Sequence, residues 1–252
     1  MIHVDQRDGI TLVHLQHGKA NLLDVELCQH LQTAFDELAG EARAVVLTGQ
    51  GGIFSAGVDL LRLLDGGPAY IEQFLDTLKG FCETIFSFPK PLVAAINGHA
   101  IAGGCVVACM ADRRLMAQGS GRIGVVELLV GVPFTAAPFE VMRFAVPPQY
   151  FCEVLYGGTT YEPTAAMERG LVDEVVPPEE LLDRAVQTAA AFAQLAPRAF
   201  RLTKAQIRHP AVDQIRRGAA EFDAAVREIW ARPDTLAGIR EYVSRTFKRS
   251  QT

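Results

Sequence analysis

The chain has 252 residues, 49% of them apolar and 21% charged, with a formal net charge of −5; that length supports one substantial core with a smaller appended region. The acidic balance argues against a nucleic-acid surface, and no apolar run approaches the roughly eighteen residues of a membrane span. Five cysteines (28, 82, 105, 109 and 152) form no C-x-x-C pair and no signal peptide is evident, so a reducing cytoplasm is expected, and the six histidines show no metal-ligand spacing.

Ile2 to Arg7 and Ile10 to Leu15 flank the turn dipeptide Asp8-Gly9 and predict an opening hairpin. After the loop Gly18-Lys19-Ala20-Asn21, Asp24 reads as the N-cap of a helix with Leu27, Leu31, Ala34, Phe35 and Leu38 on one face, ending at Gly40. Ala44 to Thr48 is a buried strand. Gly49 to Gly52 is too flexible for regular structure, and Phe54 to Leu60 leads from it toward a short helix. Gly66-Gly67-Pro68 predicts a mobile connection before a helix over about 69–86. Pro91 to Ile96 lacks alternation and reads as a fully buried strand, followed by a glycine-entry helix; Arg113 to Ala117 is another strand candidate. Helices over about 135–145 and 148–155 precede a last strand, Leu171 to Pro177. Beyond Pro178 the periodic segments are all helical, at 179–195, 198–208, 211–231 and 234–248. Strands separated by helices predict a mixed α/β part with at least partly parallel sheets, ending near Pro177. The helical tail either caps that core or makes subunit contacts.

The stretch from Asn97 to Asp112 organises the rest. A buried strand passing through the corner Asn97-Gly98 into a helix start at Gly103-Gly104 places unpaired backbone N–H groups and a positive helix end beside a cleft. Such a site suits an anion, or an oxygen that becomes negative during a reaction. Spelling narrows the uses. Gly104-Cys105 stands where a P-loop needs Lys-Ser/Thr, and Phe54 takes the third glycine place of a dinucleotide fingerprint begun at Gly49. Ile53 stands where a nucleophile elbow needs glycine before Ser55. Backbone donors without a phosphate-binding lysine or a nucleophile favour stabilising a carbonyl oxygen.

Glu127 stands alone among Ile, Val and Leu between Gly124 and Gly131. Either it faces outward from a half-exposed turn, or it is held in a dry pocket that favours its neutral form. A glutamate tuned in the second way can both accept and return a proton. His99, beside a tight corner, reads as a hydrogen-bonded structural residue. The basic stretch Arg245 to Arg249 is a solvated tail or helix-dipole partner, with a ligand phosphate as the alternative.

Phe54-Ser55-Ala56-Gly57-Val58-Asp59-Leu60 and Asn97-Gly98-His99-Ala100-Ile101-Ala102-Gly103-Gly104-Cys105 resemble the crotonase, or enoyl-CoA hydratase/isomerase, family. Gly170 to Pro177 looks like that family's closing strand and Leu202-Thr203-Lys204 like the start of a tail helix, so the match runs through the chain in order. The resemblance implies an α/β crotonase-like spiral of strand-strand-helix turns over 1–177, which carries the acyl-CoA site. It implies a helical C-terminal region over 178–252 that builds homotrimers, often paired into hexamers. The implied partner is an acyl-CoA thioester, with CoA part of the substrate and no separate cofactor or metal. By motif position, the N–H groups of Val58 and Gly103 would form an oxyanion hole around the thioester carbonyl, and Glu127 would be the catalytic acid-base. Ala20, Ala56, Asp59 and Leu60 lie where the family contacts CoA, and Lys248 or Arg249 would reach a CoA phosphate.

The departures are informative. Hydratases of the family use two glutamates to position and activate water; the second matches Glu127, but Val106 stands at the first. A valine cannot orient water, so the pattern is closest to that of Δ3,Δ2-enoyl-CoA isomerases, with one glutamate and an apolar first site. Ala136-Ala137-Pro138 replaces a glycine pair, and Phe134 would narrow the acyl pocket. The expected reaction is a single-glutamate proton shuttle on a 3-enoyl-CoA. The alternatives are another crotonase-type acyl-CoA reaction (hydratase, thioester hydrolase or decarboxylase), a non-catalytic acyl-CoA-binding subunit, and a nucleotide-binding α/β domain that the failed glycine spellings disfavour.

Overall fold

The computed structural model describes the backbone of residues 1–249 and the side chains of residues 1–246. The side chains of Lys248 and Arg249, assigned above to a CoA phosphate, lie outside the described residues.

Strands β1 (Ile2–Arg7) and β2 (Ile10–Leu15) form the expected antiparallel hairpin. Asp8 and Gly9 both have positive φ, 53° and 75°, as a two-residue turn between right-twisted strands requires. Helix α1 (Val25–Glu41) starts where Asp24 Oδ1 accepts from Leu27 N–H at 2.7 Å. Then a pattern repeats three times. β3 (Val45–Thr48) leads to β4 (Ile53–Ser55) and helix α2 (Leu60–Phe86). β5 (Leu92–Ile96) leads to β6 (His99–Ile101) and α3 (Gly103–Cys109). β7 (Arg113–Ala117) leads to β8 (Ile123–Gly124) and α4 (Glu127–Val130). The first strand of each turn joins a large sheet and the second a small one, and successive turns pair in parallel. This is a spiral of strand-strand-helix turns. Helices α5 (Ala136–Ala145), α6 (Pro148–Tyr156) and α7 (Pro163–Glu168) precede β9 (Glu174–Val176), which closes the large sheet in the order β1-β2-β3-β5-β7-β9.

Helices α8 (Leu181–Ala193), α9 (Pro197–Ala231) and α10 (Pro233–Arg249) follow. α8 covers one face of the large sheet. Val93 and Ala95 of β5 meet Leu181, Ala185 and Ala189 there, while Leu92, Ala94 and Ile96 face the main core. Successive strand residues point to opposite faces, so a strand apolar on both has no alternation. The tail caps its own core: α9 packs on α5 and α2, and α10 on α2 and α4. One buried ion cluster stitches it down. Asp112 Oδ1 accepts from Arg208 Nη2 at 2.6 Å, and Oδ2 from Lys204 Nζ at 2.6 Å and Leu92 N–H at 2.8 Å.

Two expectations need correction. Residues 198–231 are not two helices: α9 runs unbroken through Pro210. An interior proline costs about 3 kcal/mol, but α9 is anchored on both sides of it, by Lys204 and Arg208 before and by Ile215, Asp223, Val226 and Trp230 after. The connection at Gly66-Gly67-Pro68 is a kink rather than a loop. Gly67 alone leaves helical geometry (φ 64°, ψ −163°), and the helix resumes at Pro68, since proline suits a first helical position. Among the described residues no helix is long and apolar enough to cross a membrane.

Candidate active site

The site forms where the small sheet hands over to helices. Beyond β4, Gly57 has φ 92°, and a Cβ there would lie 2.7 Å from Ile101 O and 3.3 Å from Gly103 N; only glycine lets these two backbones come so close. Leu23 N–H donates to Gly57 O at 2.8 Å and Asp59 N–H donates to Leu23 O at 2.9 Å, which pins Val58 between them. On the other side, Ala102 holds φ 52° just before α3, and its carbonyl accepts from the N–H groups of Cys105 and Val106. The N–H groups of Val58 and Gly103 donate to no acceptor among the described residues. Their neighbourhood is close: a Cβ on Gly103 would sit 3.5 Å from Val58 Cγ2.

Glu127 opens α4, which ends at once on Gly131 (φ 91°). The residue is half-buried, but its carboxylate Oε2 is shut off from solvent and has no hydrogen-bond partner. Burial pushes its pKa up to about 7, against the pull of the Glu127 and Val126 backbone N–H groups, which favour the anion. The outward-facing reading of this residue therefore fails.

Val58, Gly103, Glu127, Ala56, Leu60, Val106 and Phe134 line one cavity, open at its mouth. Val106 is 3% exposed, so the place of a possible second acid is filled by hydrocarbon. Ala20 and Asp59 are not in the lining. The Ala20 carbonyl accepts from Ala56 N–H at 2.9 Å and so shapes the loop behind the wall; Asp59 Oδ1 caps α2 by accepting from Arg62 N–H at 3.0 Å. Sequence reasoning missed the roof. Trp230 of α9 and Tyr242 of α10 both line the cavity, and Trp230 Nε1–H donates to Pro133 O at 2.9 Å. The one available signal was that Trp230 is the chain's single tryptophan. Thr135 and the α2 residues Leu75, Leu78 and Phe81 complete walls that no local pattern marked. Among the described residues no group of three or more His, Cys, Asp or Glu side chains gathers as a metal site would.

A spiral of strand-strand-helix turns, with free main-chain amides and a carboxylate whose pKa burial raises on one apolar cavity, describes enzymes that handle an activated carbonyl compound. The chain belongs to the enoyl-CoA hydratase/isomerase family, which matches residues 5–247, and it is an enzyme of that family. It is 29% identical over 222 residues to the mitochondrial enoyl-CoA delta isomerase 1 of Rattus norvegicus, covering 85% of this chain and 76% of the relative. The human mitochondrial delta3-delta2-enoyl-CoA isomerase has a similar structure, with a TM-score of 0.90 at 25% identity over 98% of each chain. Enoyl-CoA hydratase EchA3 of Mycobacterium ulcerans gives a TM-score of 0.80 at 31% identity, over 88% of this chain and 98% of that one.

Proposed function

We propose that this enzyme is an enoyl-CoA isomerase that moves the double bond of a 3-enoyl-CoA to the 2-position, with Glu127 as its single proton carrier. One observation carries the reading: Glu127 is the only carboxylate among the described residues lining the cavity; by motif position, Val106 stands where the family resemblance puts the other glutamate of hydratases.

The Glu127 carboxylate takes a proton from C2, the carbon beside the thioester. The C–H electron pair forms a C1=C2 double bond, and the carbonyl π pair moves onto the thioester oxygen. The N–H groups of Val58 and Gly103 hydrogen-bond that oxygen as its charge grows, an interaction stronger in the transition state than in the ground state. The oxygen's pair then returns, C2=C3 forms, and the former C3=C4 pair takes the proton from Glu127 at C4. Substrate and product have the same atoms and electrons, so the step calls for no redox carrier, and CoA enters as part of the substrate. A base with a pKa near 7 is matched to both halves of the shuttle. The apolar lining keeps water from intercepting the dienolate.

The test is a panel of 3-enoyl- and 2-enoyl-CoA esters against wild type and Glu127→Gln. Isomerisation that depends on Glu127, with slow hydration, is the expected result. Brisk hydration of 2-enoyl-CoA would replace this reading with the hydratase one, and full isomerase turnover in Glu127→Gln would remove the assignment of the base.

A further inference from the structure

Thr135 precedes α5 with extended backbone angles (φ −72°, ψ 162°). This is the N-cap position, where a threonine oxygen ordinarily accepts from an amide of the first helical turn. Here it makes no such bond. Asp223 of α9 reaches across instead, and its Oδ1 accepts from Ala136 N–H at 2.9 Å. The threonine hydroxyl is freed from capping but not released to water: the residue is 4% exposed, and Oγ1 has no hydrogen-bond partner. It lines the same cavity as Glu127. Among the other polar side-chain groups of the lining, the Trp230 N–H is already committed to Pro133 O. Glu127 Oε2 and Thr135 Oγ1 are thus the buried side-chain polar atoms left unpaired among the described residues of this cavity.

An unpaired hydroxyl in apolar surroundings is costly to keep, and buried polar groups as a rule find partners. Valine would fill the same space without that cost. The orphaned carboxylate oxygen is used by the proton transfer; the hydroxyl is used if the ligand brings an oxygen to it. We propose that Thr135 is a specificity-determining residue whose hydroxyl hydrogen-bonds an oxygen carried on the acyl chain, so that hydroxy- or oxo-substituted enoyl-CoA thioesters are preferred over plain hydrocarbon ones. The inference rests on the acyl-CoA reading of the cavity. A site built to hydrogen-bond a substrate oxygen discriminates against the analogue that lacks it, because the protein's own polar group is then left unpaired.

The experiment compares kcat/KM for 3-enoyl-CoA esters of matched length that carry a chain hydroxyl, a chain oxo group or neither. Wild type, Thr135→Val and Thr135→Ser are tested, with melting temperature recorded for each. The oxygenated esters are expected to be favoured by wild type on the order of tenfold, the value of one neutral hydrogen bond. Thr135→Val should lose that preference, read as the ratio of kcat/KM between oxygenated and hydrocarbon esters, and Thr135→Ser should retain it. A hydroxyl preference without an oxo preference would still support the proposal, with the threonine then accepting from the ligand hydroxyl rather than donating. Equal effects of Thr135→Val on all three series, or no preference in wild type, would overturn it while leaving Glu127-dependent isomerisation standing. Wild type that turns over none of the esters would overturn the isomerase reading along with it.

Discussion

The molecule shields the carboxylates of Asp112 and Glu127 in opposite ways. Asp112 sits under α9 with both oxygens engaged, by Arg208, by Lys204 and by the Leu92 amide. Glu127 sits among hydrocarbon with one oxygen unpaired, and burial alone raises its pKa to about 7. The first arrangement fixes a charge and ties the C-terminal helices to the sheet. The second leaves a proton nearly as easy to lose as to hold. At the anchor the acid is paired; at Glu127, the proposed proton carrier, one oxygen is left without a partner.

The comparison breaks most sharply at Glu127 itself. Glu127→Gln is expected to lower isomerase turnover about 10²- to 10⁴-fold, the usual worth of a general base, while leaving resistance to urea unchanged or higher. Asp112→Ala should do the reverse. It leaves Lys204 and Arg208 buried beside no carboxylate, at a cost of about 3–5 kcal/mol, or roughly a hundredfold to a few thousandfold in the folding equilibrium. Urea unfolding reads that loss, and activity per folded molecule should hold. Gly57→Ala separates backbone from side-chain chemistry. Its Cβ would press on Ile101 O from a left-handed conformation and shift the Val58 amide, with turnover expected to fall on the order of a hundredfold and KM changing less.

The smallest effect is the dependence on pH. In the proposed shuttle the working form of Glu127 is the anion, so kcat/KM should fall about tenfold per pH unit below about 7 and level off above it. Stability runs the other way. The folded-state pKa lies above the ordinary carboxylate value, so this group's contribution is complete below that value and is lost as pH rises through about 7. Glu127→Gln should flatten that loss in a melting-temperature series across pH. A series that keeps the same slope would assign it to another group.

Much of the scaffold is legible in the residues because its signals are local. Asp8-Gly9 makes its turn, Asp24 caps its helix, and the strand after Pro91 lacks alternation because α8 covers its second face. Glu127 was legible too, as an acid where every neighbour is apolar. The small sheet was not: β4, β6 and β8 are two or three residues long, too short for any period, and they pair with segments more than twenty residues away. The roof was equally hidden. Nothing near Trp230 states that it will meet Pro133. Pro210 misled because the penalty it signals is local, whereas the contacts that outweigh it are tertiary.

That roof bears on when the protein first becomes competent. The cavity draws its walls from Leu23 near one end of the chain to Tyr242 near the other. During synthesis, the emerging spiral can fold around its strands, yet its binding chamber stays unfinished until α10 has left the ribosome. A nascent chain that still lacks α10 therefore holds an open-roofed cavity.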